Sequence, residues 1–560
     1  MISIATGCVL QKTNNILVNK VIIGSLVFCQ NFAGSCIALS ETVPKPVIHS
    51  KWHEPLGHDS DILIYNPLIK QKSKLLLQVE NTIKWYSCGP TVYDSAHIGH
   101  ASCYVKLDII RRILTSVFNL DVFYLMGITD IDDKIILRSN EAKEDFHSLA
   151  ERYKVEFFND LEKLNVLPPT MTVKVSDHIP DIISFIEKIL EKGHAYVAPS
   201  GSVYFAVEGF PSYGKLRPPQ LSESPEKPNP EKRSPLDFTL WKAAKAGEPR
   251  WDSPWAPGRP GWHIECSAMA SKVLGPRLDI HSGGQDLVFP HHQNEEAQSC
   301  AYHNTSQWVN YWLHTGHLSV KGDVKMSKSL KNTVSISQLL EKYSSNHFRM
   351  LCLLSPYRNS IEYSEETMGT AVGNCRRVES FLDECELYLS GVKRTGAVDE
   401  VAVVKLVQDA KTAVRRHLAD DFDTSRAMDE VLRLVSAINT MLGSPSSGLT
   451  SHSVVAVASA SNFVKNTLTQ LGFSLKSDQS GREDVRKLTS VLDATVAFRS
   501  SVREVALHPE MVKPRRAQLL KACDTLRMSL SETGVEVKDH KSQKSTWRLI
   551  DVVQSDTKTD

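Results

Sequence analysis

The sequence predicts a doubly wound α/β nucleotide fold, split by an insertion and followed by a helical bundle. Three observations predict it. Two apolar runs, 75–86 and 122–128, each stop at a loop that leads into a helical pattern. A stretch rich in Pro, Glu, Lys and Ser at 218–235 separates them from later segments of similar character. Beyond Glu366 the chain is dominated by amphipathic helical periodicity.

The run 75–86 does not alternate and ends at Ser87-Cys88-Gly89-Pro90, the pattern of a parallel strand buried on both faces. From Gly99 onward Val105, Ile109, Ile110, Ile113, Leu114 and Val117 recur at helical spacing, which puts His97 to His100 at a helix N-terminus. A second strand, 122–128, runs into Thr129-Asp130-Ile131-Asp132-Asp133-Lys134 and another helix. Between 146 and 196 the pattern is helical, with no further sheet motif. The nucleotide fold resumes near Phe238 and carries Trp262-His263-Ile264-Glu265-Cys266 and Phe289-Pro290-His291-His292. Helices are predicted over 366–389, 400–418, 424–442 and 484–506, with a Gly, Ser and Pro loop at 443–453. The predicted domains are a leader at 1–45, the two catalytic halves at 75–145 and 238–345, an insertion at 146–237, a helical region at 346–510 and a small basic tail module at 511–560.

Bulk properties narrow the class. At 560 residues the chain exceeds one hydrophobic core, which predicts about three to four domains. Lys and Arg number 65 against 64 Asp and Glu, so a polyanionic partner must be met by locally basic surface rather than by net charge. The eleven cysteines lack the spacing of a disulfide framework and predict a reducing compartment. The first forty residues carry Lys12 and Lys20, no Arg, and no acid before Glu41, with a short apolar run at 21–29 that cannot span a bilayer. Plentiful Ser, Thr and Asn suit an organellar transit peptide, and the apolar run behind Lys20 is also compatible with a secretory signal.

Two motifs point to ATP. His97-Ile98-Gly99-His100 sets two imidazoles one turn apart where free backbone N–H groups already suit a triphosphate. Gly99 lets the backbone approach the nucleotide. The same four letters also fit a pair of surface or core histidines. More than two hundred residues later, Lys325-Met326-Ser327-Lys328-Ser329 has the composition of a solvated loop, yet Lys325 and Lys328 are able to neutralise an α-phosphate and a departing pyrophosphate. The two signatures in this order say more than either alone.

With Cys88-Gly89-Pro90-Thr91-Val92-Tyr93-Asp94 and Trp262-His263-Ile264-Glu265-Cys266-Ser267-Ala268-Met269 added, the chain resembles the class I aminoacyl-tRNA synthetases and, among them, the cysteinyl-tRNA synthetases. The likeness runs from about Leu75 to the C-terminus, and the tail segments Ala522-Cys523-Asp524-Thr525-Leu526-Arg527 and Ser545-Thr546-Trp547 are most similar to the mitochondrial form. The resemblance implies activation of L-cysteine by ATP with Mg2+, then transfer from cysteinyl-adenylate to the 3′ end of tRNA(Cys) in the mitochondrial matrix. It implies that His97, His100 and Lys328 meet ATP, with Lys325 in the same mobile loop. Gly283, Gly284 and Asp286 would lie under the adenosine. Gly89, Thr129, Trp262 and His281 would line the amino-acid pocket. The helical region would hold the tRNA stem, and Asp539 and Trp547 would meet the anticodon, one accepting from a base edge and the other stacking on a base.

The resemblance also makes Cys88, Cys266, His291 and Glu295 the ligands of one zinc ion per chain. Two thiolates, an imidazole and a carboxylate form a sensible tetrahedral donor set, and His291 and Glu295, four apart, would share one helix face. Each residue taken singly is equally well read as a small buried hydrophobe or a capping group. Zinc would meet a physical need, because a shaped pocket rejects an isostere such as serine by only about 10²-fold, whereas a soft metal prefers thiolate to hydroxyl. His281 and His292 are either orienting groups around this site or structural histidines. A second family activity, persulfide synthesis with pyridoxal phosphate, uses a Lys-Ile-Ile-Lys motif. Here it reads Lys134-Ile135-Ile136-Leu137, and leucine cannot form a Schiff base. A cysteine ligase for small amines has no use for the long helical region, and intact His97, His100 and Lys328 argue against a catalytically silent RNA-binding relative. The pattern asks for no membrane and leaves monomer or homodimer open.

Overall fold

In the computed structural model, which describes residues 52–218, 229–320, 324–325, 333–392, 398–443, 453–475, 482–540 and 545–550, five parallel strands form the central sheet. Their spatial order is Val309–Thr315, Leu278–Gly284, Thr82–Thr91, Asp121–Thr129 and Met171–Lys174. The chain therefore starts in the middle, builds outward to one edge, and returns to build the other. The order reverses between Thr82–Thr91 and Leu278–Gly284, and in open α/β sheets ligands bind in the crevice at such a reversal. Helices Ile98–Arg112, Trp262–Leu274 and Gln293–His303 cover the sheet and bury both of its faces.

The structure revises three sequence expectations. The apolar run 75–86 is two strands, because Asn81 takes a positive φ of 58° and Thr82 N–H bonds back to the Val79 carbonyl. Gln71–Leu77 pairs antiparallel with His58–Asn66, and only Thr82–Thr91 enters the central sheet. The segment 146–196 does hold a sheet strand, since Met171–Lys174 pairs with the edge of Asp121–Thr129. Four residues are too few for a periodicity signal. Finally, Phe238–Ala243 belongs to a separate antiparallel sheet with Ala195–Val197, Val203–Phe205 and Gly258–Pro260, and the chain rejoins the nucleotide fold at Trp262.

Helices Glu365–Leu389, Glu400–Ala419, Thr424–Gly443 and Arg482–Leu507 follow the predicted spacing. Val454–Gln470 was not predicted, because its Val, Ser, Asn and Thr content is poor in helix propensity. Packing supplies what propensity lacks, with Ala456, Val457, Ala460 and Val464 fully buried. Lys513–Glu532 and the hairpin of Val535–Lys538 with Thr546–Leu549 complete the tail. The helical region is tied to the catalytic part by a buried ion network. Arg349 meets Asp108 at 2.6 Å, Arg112 meets the same carboxylate at 2.8 Å, and Arg349 also donates to the carbonyls of Leu164, Asn165 and Leu471. No helix among the described residues is long and apolar enough to cross a membrane.

Candidate metal centre and nucleotide site

Cys88, Cys266, His291 and Glu295 converge at the reversal of strand order. Cys88 sits near the carboxyl end of Thr82–Thr91, opposite Gly127 of the neighbouring strand. Gly89 is required there, because a Cβ would lie 2.1 Å from the Gly127 carbonyl oxygen. Cys266 comes from the first turns of Trp262–Leu274 and Glu295 from the start of Gln293–His303. His291 lies in an irregular turn before that helix, in which Phe289 is extended, so the pair is one turn apart without sharing a regular helix. All four are buried.

Their spacing fits one ion. Zinc–sulfur bonds of about 2.3 Å and zinc–nitrogen or zinc–oxygen bonds of about 2.1 Å put tetrahedral edges at about 3.8 Å for S–S, about 3.6 Å for S–N or S–O and about 3.4 Å for N–O. The structure has Cys88 Sγ to Cys266 Sγ at 3.8 Å, Cys266 Sγ to His291 Nε2 at 3.6 Å, Cys88 Sγ to Glu295 Oε1 at 3.6 Å, and His291 Nε2 to Glu295 Oε1 at 3.0 Å. The last edge is short because imidazole and carboxylate are hydrogen-bonded. Cys88, His281, His292 and Glu295 are also clustered. In that set His281 Nε2 approaches Glu295 Oε2 at 2.7 Å, a hydrogen-bond distance well inside a tetrahedral edge. His281 therefore orients the second oxygen of Glu295 while the first faces the thiols.

Further histidines surround the site, of which His263 and His314 were not singled out from the sequence. His263 Nδ1 and His291 Nδ1 are 2.8 Å apart, so a neutral His291 donating there keeps its Nε2 lone pair toward Cys266 and Glu295. His292 Nε2 lies 3.4 Å from Cys88 Sγ, and its Nδ1 lies 2.8 Å from His314 Nε2. Burial and neighbouring histidines hold His263 and His292 well below the usual histidine range. Burial, with Cys266 and Glu295 beside it, pushes the Cys88 thiol well above its usual range, whereas the hydrogen bond to Cys88, aided by His291, brings Cys266 down to about 6 against the pull of burial. Trp262, 40% exposed, stacks on His291 with ring centroids 4.3 Å apart and forms the outer wall. Sequence spacing gave no signal for His263 or His314, whose role depends on strands brought together by the fold.

The nucleotide motifs are positioned by local chemistry. His97 caps Ile98–Arg112, its Nδ1 accepting from Gly99 N–H at 3.1 Å, and His100 Nδ1 accepts from His97 N–H at 3.2 Å. With each Nδ1 acting as acceptor, the neutral ring carries its proton on Nε2 and becomes a donor for an anion. The rings stack at 3.8 Å, beside a groove of about 410 Å³ lined by Asp94, Ser95, Ala96, His97, Thr333, Ser335 and Gln338. Gly283 admits the His292 ring, since a Cβ there would lie 3.0 Å from it, and Gly284 lies against Asp286. Lys325 pairs through its backbone with Ser319, and Lys328 lies outside the described residues.

Thr129 ends its strand with Oγ1 donating to Glu265 at 3.3 Å. Farther away, Asp539 is bound by Arg499 at 2.6 and 3.1 Å and accepts from Ser545 at 2.7 Å, which holds its carboxyl down to about 2. Its carboxylate is thus engaged by helix Arg482–Leu507 and by Ser545. Trp547 donates to Asp493 at 2.7 Å beside a cavity of about 470 Å³.

Comparison with known proteins identifies the family. A family model described as tRNA synthetases class I (C) catalytic domain matches residues 75–373. The chain is 43% identical to the Xenopus tropicalis protein named "Probable cysteine--tRNA ligase, mitochondrial", over 89% of this chain and 91% of that one. It is 37% identical to the cytoplasmic cysteine–tRNA ligase of Dictyostelium discoideum, over 92% and 81%. The fold is shared with the Mycobacterium tuberculosis methionyl-tRNA synthetase in complex with methionyl-adenylate, at a TM-score of 0.50 and 16% identity over 69% of this chain and 89% of that one. The chain therefore belongs to the cysteine–tRNA ligase family of class I tRNA synthetases.

Proposed function

We propose that this enzyme joins L-cysteine to the 3′ end of tRNA(Cys) in the mitochondrial matrix, using ATP with Mg2+. The observation that carries the reading is the tetrahedral spacing of Cys88, Cys266, His291 and Glu295. The cysteine carboxylate attacks the α-phosphorus of ATP, giving cysteinyl-adenylate and pyrophosphate. Catalysis is positioning and charge neutralisation. The His97 and His100 Nε2–H groups and the helix N-terminus meet the phosphates, while Lys325 and Lys328 neutralise the departing pyrophosphate. Gly283, Gly284 and Asp286 support the adenosine. A zinc ion held by the four ligands supplies a soft anchor for the substrate sulfur, which serine cannot match. His281 and His263 keep Glu295 and His291 aimed, and Gly89, Thr129 and Trp262 shape the pocket.

The terminal adenosine of tRNA then attacks the adenylate carbonyl. Helices beyond Glu365 offer the extended surface that a tRNA needs, with Trp547 as a stacking platform for a base. Leu137 is exposed and carries no amine, so pyridoxal phosphate chemistry is left out of the proposal. The name of the Xenopus relative supports the location, and fractionation of cells expressing the full chain tests it separately, because a cytoplasmic relative is similar as well. The decisive experiment is pyrophosphate exchange into ATP. It should require cysteine, and a preference for serine or methionine overturns the reading. Charging of a tRNA ending in CCA tests the second step.

A further inference from the structure

Lys106 is a buried lysine that the steps above leave unused. It lies nine residues beyond His97 on helix Ile98–Arg112, about 13 Å along the axis, and is 1% exposed. Cys103 and Cys352 are near it, and its amine meets two backbone carbonyls, donating to Gly316 at 3.0 Å and to Asn359 at 3.0 Å. Burying an amine is costly unless its N–H groups are bonded. Burial lowers the Lys106 pKa, and either protonation state keeps the two N–H groups that these bonds need. The two acceptors stand at one junction. Gly316 follows central strand Val309–Thr315 and leads into Leu318–Val320, while Asn359 leads into Ile361–Tyr363, which pairs with Leu318–Val320. Val324–Lys325 pairs with the other edge of Leu318–Val320, setting Lys325 opposite Ser319. The junction is close-packed: Gly316 N–H bonds to the Tyr357 carbonyl at 2.9 Å, and a Cβ on Gly316 would lie 2.2 Å from the Asn359 oxygen.

We infer that Lys106 is a positioning residue for ATP activation: by bonding both carbonyls it fixes the root of the three-stranded sheet that carries Lys325 against the helix that carries His97 and His100. The inference rests on the reading that the phosphates of ATP meet both signatures. A rigid helix sets the distance from the Lys106 amine to the two imidazoles, and paired strands set the distance from Gly316 to Lys325. Lys106 ties these pieces together at their base. Asp421 holds the same turn by accepting from the Tyr357 hydroxyl at 3.1 Å and from Arg358 at 2.8 Å, so loss of the Lys106 donors frees the junction from the helix without releasing the turn. Charge that develops in a transition state is stabilised by groups already in place. A slack junction therefore slows the chemical step and leaves the cysteine pocket as it was.

The test is cysteine-dependent pyrophosphate exchange by the full-length, zinc-loaded protein. Lys106→Met keeps the length of the side chain and removes the donors. The expected result is a fall of about 10- to 100-fold in kcat, the cost of misplacing a reacting group by about 1 Å. The KM for L-cysteine and the zinc content stay as in the parent. Lys325→Ala supplies the second arm: adding Lys106→Met to it should lower kcat by less than about twofold further, because Lys106 acts through a group already absent. An unchanged kcat in Lys106→Met overturns the inference. So does a further loss above about twofold in the double variant, or a rise in cysteine KM with loss of zinc, since either makes Lys106 a purely structural residue. If Lys106→Met does not fold, Gly316→Ala spreads the same junction with the amine in place and should give the same loss of kcat at constant cysteine KM, and a parental kcat there overturns the inference. A parent protein with no cysteine-dependent exchange would instead overturn the proposed function.

Discussion

Cys88 Sγ lies 3.8 Å from Cys266 Sγ although 178 positions separate the two in the chain. One thiol comes from the first sheet strand built and the other from the helix that follows the inserted sheet. Their approach measures how accurately the halves of the fold dock, and the proposed metal site depends on that docking.

Cys266→Ser should lower zinc content, measured by elemental analysis of purified protein, and raise the cysteine KM at least about tenfold, in line with the 10- to 100-fold costs of disturbing a metal site. Full zinc occupancy in this variant would contradict the ligand assignment.

The protein stripped of metal by a chelator should lose stability as pH falls below 4.5. Burial opposes ionisation of Glu295, but His281 and His291 outweigh it and bring its pKa from the ordinary 4.5 to about 2. Burial likewise opposes charging of His291, but Glu295 and Cys266 outweigh it and bring its pKa from 6.5 to about 10. The Glu295 contribution is present above 4.5 and fades as pH falls toward 2. The His291 contribution is complete below 6.5 and fades as pH rises toward 10. Tm of the metal-free protein should therefore fall below pH 4.5, while above 6.5 the fading His291 contribution is offset by Cys266, whose thiolate, at about 6 against an ordinary 9, adds stability as pH rises. A Tm that holds steady from pH 4.5 down to 2 would contradict this pairing.

Asp108→Asn should cost about 3–5 kcal/mol in urea denaturation, because it leaves the buried Arg349 without its anion. The loss falls on the joint between Ile98–Arg112 and the helical region, so it should also loosen the His97 end of that helix. A change below about 1 kcal/mol would show that the carbonyls of Leu164, Asn165 and Leu471 suffice.

Gly89→Ala places a methyl 2.1 Å from the Gly127 oxygen, which only movement of a strand can relieve. Overpacking of this kind costs about 1–3 kcal/mol. Because Cys88 is the preceding residue, zinc content should fall along with Tm, and normal zinc content in a destabilised variant would separate the two effects.

Lys328→Ala should reduce the kcat of cysteine-dependent exchange by about 10²- to 10³-fold, the cost of removing one group that stabilises transition-state charge. Zinc content should not move. Exchange at the parental rate would remove the loop from the mechanism.

The doubly wound fold class was legible because apolar strands stop at loops and helix starts, where Cys88, His97 and Thr129 fall. The four-residue strand Met171–Lys174 was not, since so short a segment has no period to detect. Helix Val454–Gln470 was hidden for the opposite reason: its burial overrides weak propensity, and burial is set by partners distant in sequence. His263, His281, His292 and His314 became intelligible only as a set, because a histidine's role is fixed by what its second nitrogen meets. The engagement of Asp539 by Arg499 was equally invisible, as a pairing across forty positions leaves no spacing rule.

Cys88 and Glu295, 3.6 Å apart in the finished enzyme, are 207 positions apart along the chain. At translation rates of about 5–20 residues per second, about 10–40 s pass between the emergence of the first and of the last. During that interval a nascent chain lacks at least one of the four proposed ligands, and any product ended before Glu295 stops short of the proposed metal pocket. Capture of an ion by the four proposed ligands thus waits for the second half of synthesis.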